Sequence, residues 1–212
     1  MMSSDLQFID FGAGRGASFE FAAKCAPGLG LAMDISDDAI AHCTEKGISA
    51  EKGNVIEFDQ KNAALATFAI NLMPELPGRA AFHRALTNIV RAAKNYTVIQ
   101  HSFFDRDAQL ALKGLYVADN FSKRVQFKPT VADYLEFVAT HKDALSIAGI
   151  SLFTFGEAKV EHLDIDEEVS GDLDQMNPKS MRIVIGRKNV DRFRAPLRRV
   201  KVGKQIYSWE KA

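Results

Sequence analysis

The chain has 212 residues, 47% of them apolar, and its 27 Lys and Arg balance its 27 Asp and Glu. That is enough apolar material for one substantial core, and the even charge excludes a whole-surface field that would draw the protein onto nucleic acid or an anionic membrane. No stretch approaches the ~18 apolar residues of a membrane span, residues 1–7 lack the regions of a secretory leader, and Cys25 and Cys43 have no CxxC or Cys/His company, so the expectation is an unexported, cytoplasmic protein with reduced, buried thiols and no metal centre.

In chain order, residues 6–11 form a short apolar run that leads into Gly12, Gly14 and Gly16, and residues 17–26 have helical composition closed by Pro27 and Gly28. A second strand over 30–33 ends at Asp34, after which Ser36 caps a helix over 37–46 that stops at Gly47. Residues 48–52 read as a third strand and 64–72 as a fourth. Over 78–94 the apolar residues Phe82, Leu86, Ile89, Val90 and Ala93 recur at helical spacing, and 96–100 is a fifth, buried strand. Strands alternating with helices over the first hundred residues imply a parallel sheet with right-handed crossovers and helices on both faces.

The second half has another rhythm. Residues 102–129 are aromatic and poorly periodic, and read as an inserted cap or substrate-binding segment; 131–147 is a helix, and 152–160 and 181–187 are strands joined through an acidic loop. If these two strands are neighbours they run antiparallel, because no helix joins them. The domain is expected to cover 1–190. Residues 191–212 form a basic C-terminal tail; from Arg187 onward nine basic residues face only Asp191 and Glu210, so nucleic acid, if bound at all, is expected there.

Chemistry concentrates at the first strand end. Asp10, Gly12, Gly14 and Gly16 follow a strand and open a helix, so the backbone turns tightly and a ligand can approach the main chain. Asp34, ending the second strand, stands where a carboxylate accepts the hydroxyls of a ribose, and Asn54, just after the third strand, sits where its amide can meet an adenine edge.

Together these residues resemble the class I S-adenosylmethionine-dependent methyltransferases: D-x-G-x-G-x-G after strand one, an acid ending strand two, and a polar residue after strand three. The likeness covers residues 6–100 well and the late strand pair loosely. It implies an α/β fold, a three-layer α/β/α Rossmann-like sandwich whose mostly parallel seven-stranded sheet ends in an antiparallel strand. It also implies S-adenosyl-L-methionine as cofactor, leaving as S-adenosyl-L-homocysteine, held by Asp10, Gly12, Gly14, Gly16, Asp34, Ile35, Asn54, Val55 and Asn71. Asn54 departs from the family, where the third position is usually Asp. The stretch from His101 to Asp105 resembles a segment of small bacterial methyltransferase-like proteins. Family members usually carry a helical cover before the first strand; here strand one begins near Leu6, so the cover is expected from the insertion, the tail or a second subunit of a homodimer.

Two other readings stay open. Gly12 to Ala17 also satisfies G-x-G-x-x-A with an acid about twenty residues on, the fingerprint of an NAD(P)-binding Rossmann oxidoreductase, and a non-catalytic methyltransferase-like binding module would keep the same fold. Asp10 before the first glycine, the third glycine at Gly16 and the late strand pair favour the methyltransferase. The acceptor is expected to be a small molecule with a nucleophilic oxygen or nitrogen, since the Asn-Pro-Pro-aromatic motif of base methylation is absent from residues 71–74. His101, ending the fifth strand, is the candidate general base, with Asp105 as its orienting partner.

Overall fold

The computed structural model describes residues 6–107, 112, 115–117, 124–157, 160–162, 178–187 and 204–210. Residues 108–111, 113–114 and 118–123 of the expected insertion, and 191–203 and 211–212 of the expected tail, lie outside these. The first four strands are β1 (Phe8–Phe11), β2 (Gly30–Asp34), β3 (Ala50–Lys52) and β4 (Ala64–Ile70), and β5 (Ala93–Ser102) follows directly on the helix before it. Between them run α1 (Ala17–Cys25), α2 (Asp37–Glu45), a single 3-10 turn at Met73–Glu75, and α3 (Gly78–Ala92). The second half supplies β6 (Leu115–Val117), α4 (Val131–His141), β7 (Gly149–Glu157), β8 (Val160–His162), β9 (Pro178–Gly186) and β10 (Lys204–Glu210).

Eight strands, not the seven expected, form the main sheet in the order β10-β7-β9-β5-β4-β1-β2-β3, and β6 and β8 pair separately. Strands β3, β2, β1, β4 and β5 are mutually parallel, whereas β9 runs antiparallel between β5 and β7. The antiparallel relation of the two late strands is as expected from their helix-free connection. The additional strand is β10, which lies antiparallel on β7. It is exposed along most of its length, and Trp209 holds it by packing against the core, with the Lys142 ammonium 5.8 Å from the ring centroid.

Alternation along the strands divides the sheet's two faces. Phe8, Phe68, Val98 and Val184 pack with Ala22 and Cys25 of α1. Their neighbours in sequence, Ile9, Ala69, Ile99 and Ile185, pack on the other side with Phe82, Leu86 and Ile89 of α3 and Tyr134 and Phe137 of α4. Both cysteines are buried free thiols. Ser36 caps α2 through a bond from the Ala39 amide, as its position predicts. Helix α4 ends at His141 rather than running to 147, because Ser146 adopts φ 52° and the Ile147 amide turns back to the Lys142 carbonyl.

Between β4, β5 and α3 lies a buried hydroxyl pair. Thr67 donates to the Ile89 carbonyl at 3.1 Å, so the 2.8 Å contact between Thr67 and Thr97 has Thr97 as donor. Thr67→Val strands the Thr97 hydroxyl and is expected to cost about 1–3 kcal/mol in urea unfolding. The double Val variant, with both hydroxyls gone, is expected to recover most of that loss.

Candidate functional site

Strand β1 lies between β2 and β4, so chain direction across the sheet reverses there, and the crevice outside the carboxyl ends of β1 and β4 is the ligand position of an open α/β sheet. The glycine turn occupies its floor. Gly12, Gly14 and Gly16 have φ of 67°, 52° and 84°, a region that favours glycine. A Cβ on Gly12 would lie 2.8 Å from Leu72 and one on Gly16 2.7 Å from Ile48, whereas at Gly14 nothing lies within 4 Å. The first and third glycines let the turn pack; the second leaves space over the crevice.

The turn's amides are already engaged. Those of Gly12 and Ala13 donate to the Met33 carbonyl, Gly16 donates to Ala13, and Gly14 donates to Asp34 Oδ2 at 2.9 Å. The other oxygen of Asp34 accepts the Ser36 amide at 3.0 Å. A carboxylate offers about four acceptor positions, so Asp34 keeps one on each oxygen. Ile35, next along, is 66% exposed, an apolar side chain open at the crevice rim.

Asp10 is fully buried below the turn. Its Oδ2 accepts the Ser18 hydroxyl at 2.6 Å, and its Oδ1 has no hydrogen-bond partner. Burial pushes the carboxyl up to about 7; the Ser18 bond opposes that shift and the charge of Asp34 adds to it. Ser18 was not singled out in the sequence, although a hydroxyl in the first turn of the helix after the glycines was the available signal. Beneath the same turn, the buried Cys43 thiol donates to the Gly14 carbonyl at 3.4 Å.

Asn54 lies in the loop after β3, with its side-chain carbonyl accepting the Ile56 amide at 3.0 Å. The side chain of Val55 belongs to the main core, and its carbonyl accepts from Asn88 of α3. Asn71, just past β4, holds φ 60° and donates its amide to the Gln100 carbonyl at 2.7 Å. With Pro74, Glu75, Ser102, Phe104 and Val125 it lines a small open pocket of about 10 Å³, room for one group the size of a water or an ammonium.

The structure does not bring His101 into that pocket. Its ring is fully buried, stacked between Phe104 and Tyr134 at centroid distances of 5.6 and 5.7 Å. Nδ1 lies 2.6 Å from the Ser102 carbonyl, which can only accept, so Nδ1 carries the proton and Nε2 accepts the Tyr134 hydroxyl at 2.8 Å. Burial lowers the imidazole to about 4. A neutral ring with both nitrogens occupied has no site for a substrate proton, which corrects the expectation of a general base. Asp105 does not orient it; both carboxylate oxygens accept the Val131 amide at the start of α4.

No protein-family model matches the sequence, and neither does any curated protein. Solved structures do. The fold is that of the class I S-adenosylmethionine-dependent methyltransferases. One similar structure is a methyltransferase of that kind from Archaeoglobus fulgidus, 17% identical over 87% of both chains with a TM-score of 0.58. Another, from Methanosarcina mazei, is 13% identical over 87% of this chain and 93% of its own, with a TM-score of 0.57. The magnesium protoporphyrin IX methyltransferase of Synechocystis, crystallised with S-adenosylhomocysteine, is 11% identical over 87% of this chain and 75% of its own, with a TM-score of 0.56.

Asp10 and His101 give stability opposite pH dependences. Asp10 holds its proton to about 7 when folded against 3.8 as a free group, so its contribution is complete below about pH 4 and is lost as pH rises through 7. His101, at about 4 when folded against 6.5 free, contributes fully above about pH 6.5 and loses that contribution as pH falls towards 4. Asp10→Asn removes the alkaline loss. Relative to the parent, it is expected to gain on the order of 1–3 kcal/mol between pH 5 and pH 8 in urea unfolding. A pH-independent difference would show that Asp10 is ionised in the folded protein.

Proposed function

We propose that the chain is an S-adenosylmethionine-dependent methyltransferase acting on a small-molecule acceptor with a nucleophilic oxygen or nitrogen. The observation that carries this is the sign of charge at the glycine turn. The Asp34 carboxylate stands at a turn whose amides at 12, 13, 14 and 16 are already bonded within the protein, and the Asp10 carboxyl is buried beneath the same turn. A dinucleotide pyrophosphate needs unengaged amides and no adjacent negative charge. A sulfonium bearing an amino-acid ammonium is suited to the opposite arrangement. The open space over Gly14 fits such a ligand.

In this reading Asp34 accepts the ribose hydroxyls, Gly14 lies against the methionine part, Ile35 covers an adenine face and Asn54 meets the adenine edge. S-adenosylmethionine bound there supplies an activated methyl group. Positioning and exclusion of water then do most of the work, so the unavailability of His101 is no obstacle. The polar lining of Asn71, Glu75 and Ser102 favours an acceptor site over the plugged crevice of a non-catalytic module. Among the described residues no helix is long and apolar enough to cross a membrane. With two free buried thiols, a reducing cytoplasmic setting belongs to the same proposal.

Calorimetry with S-adenosylmethionine, S-adenosylhomocysteine and NADH tests it. The first two are expected to bind and NADH is not; NADH binding alone would reverse the assignment. Asp34→Ala is expected to weaken S-adenosylhomocysteine at least ~10-fold through loss of charge-assisted ribose bonds. Thermal unfolding of the same variant, which also loses the bond to Gly14, separates ligand loss from loss of fold.

A further inference from the structure

Building on the cofactor reading above, we infer that the pocket at the ends of β4 and β5 takes the ammonium end of a small amine, with Glu75 as its counter-ion. The pocket opens where an acceptor must enter, and Glu75 is the one charged group among its lining residues. The short turn that carries Glu75 is tied from two directions. The Glu75 amide donates to Leu72 at 3.0 Å, and the Pro74 carbonyl accepts the amides of Gln126 and Phe127 at 2.8 and 3.1 Å. The carboxylate is therefore mounted on fixed backbone, as a recognition group has to be.

Surrounding charges leave the pocket negative. Among the described residues the cation paired with Glu75 is Arg124, 3.9 Å away with its side chain 76% exposed, so solvent screens the pair. Lys128, which lies over the Phe104 ring, has its charge taken by Asp107. Burial raises the Glu75 carboxyl; Arg124 opposes that shift and the charge of Asp34 adds to it. With only this solvent-screened partner, Glu75 has capacity for a second cation from the pocket side.

Hydrogen-bond capacity points the same way. A primary ammonium has three N–H donors and no acceptor, and the pocket is lined by the Glu75 carboxylate and the Asn71 side-chain amide, each with an acceptor oxygen. An alcohol supplies one donor and no charge, while a carboxylate would meet Glu75 charge against charge. Phe104 and Pro74 supply an apolar wall for the carbon attached to nitrogen.

The full chain, loaded with S-adenosylhomocysteine, is titrated by calorimetry with 2-phenylethylamine, 2-phenylethanol and 3-phenylpropionate. The amine is expected to bind at least ~10-fold tighter than the alcohol, and the carboxylate not measurably. Glu75→Gln is expected to remove that preference, and Glu75→Asp to keep part of it. Equal binding of amine and alcohol, preference for the carboxylate, no amine binding, or an unchanged amine affinity in Glu75→Gln would overturn the inference. The S-adenosylhomocysteine titration is read separately: its failure overturns the cofactor reading, and the amine series repeated without it still decides the role of Glu75.

Discussion

The bond from the Gly14 amide to Asp34 Oδ2 fixes everything above the sheet. It spans twenty residues of sequence and joins the turn after β1 to the end of β2. Parallel register makes it possible, because Phe11 pairs with Met33 and so brings the next residues of both strands to the same level. The Met33 carbonyl, accepting two further amides of the turn, completes the attachment. A turn of three left-handed glycines would otherwise be among the most entropically costly segments to order. The same carboxylate thus holds the glycine turn in place and still keeps unused acceptor capacity on both oxygens.

Burial at this point works against stability. Asp10 is buried with one oxygen unpartnered, and burial, with a smaller contribution from Asp34, raises its carboxyl to about 7, so that ionising it is costly in the folded protein. A buried acid with a strongly raised pKa is tolerated where surrounding structure over-determines it, and such places are more often binding sites than packing sites. Asn71 carries a second, smaller cost nearby, a non-glycine residue with φ 60°. Asparagine adopts that conformation more readily than most residues, which makes it a suitable side chain for the rim.

The parallel half of the fold was legible because its signals are local. The glycine turn, the Ser36 cap and the helical spacing of Phe82, Leu86, Ile89 and Val90 each lie within a few residues of one another. Asp34 was legible from the same pattern. What escaped depends on distant contacts. His101 reads as a strand-end group at the crevice, yet strand alternation sets it on the face of Ile99, where Tyr134, from a helix 33 residues later, covers it. The burial of the Val55 side chain likewise depends on the distant α3, whose Asn88 bonds its carbonyl. Strand β10 hides in a charged tail because its place depends on pairing with β7, about fifty residues earlier, and on the packing of Trp209.

The insertion of β9 between β5 and β7 has a consequence for synthesis. Strand β5 is complete at Ser102, but its partner on that side begins at Pro178. At ~5–20 residues per second the growing chain holds β5 with an unpaired outer edge for roughly 4–15 s. That edge carries Val98 and Ile99, apolar on both faces. The parallel half is therefore a sheet with an adhesive border until residues 178–186 emerge, and this interval, more than the stability of the finished fold, governs whether two nascent copies pair with each other instead of each with its own later strand.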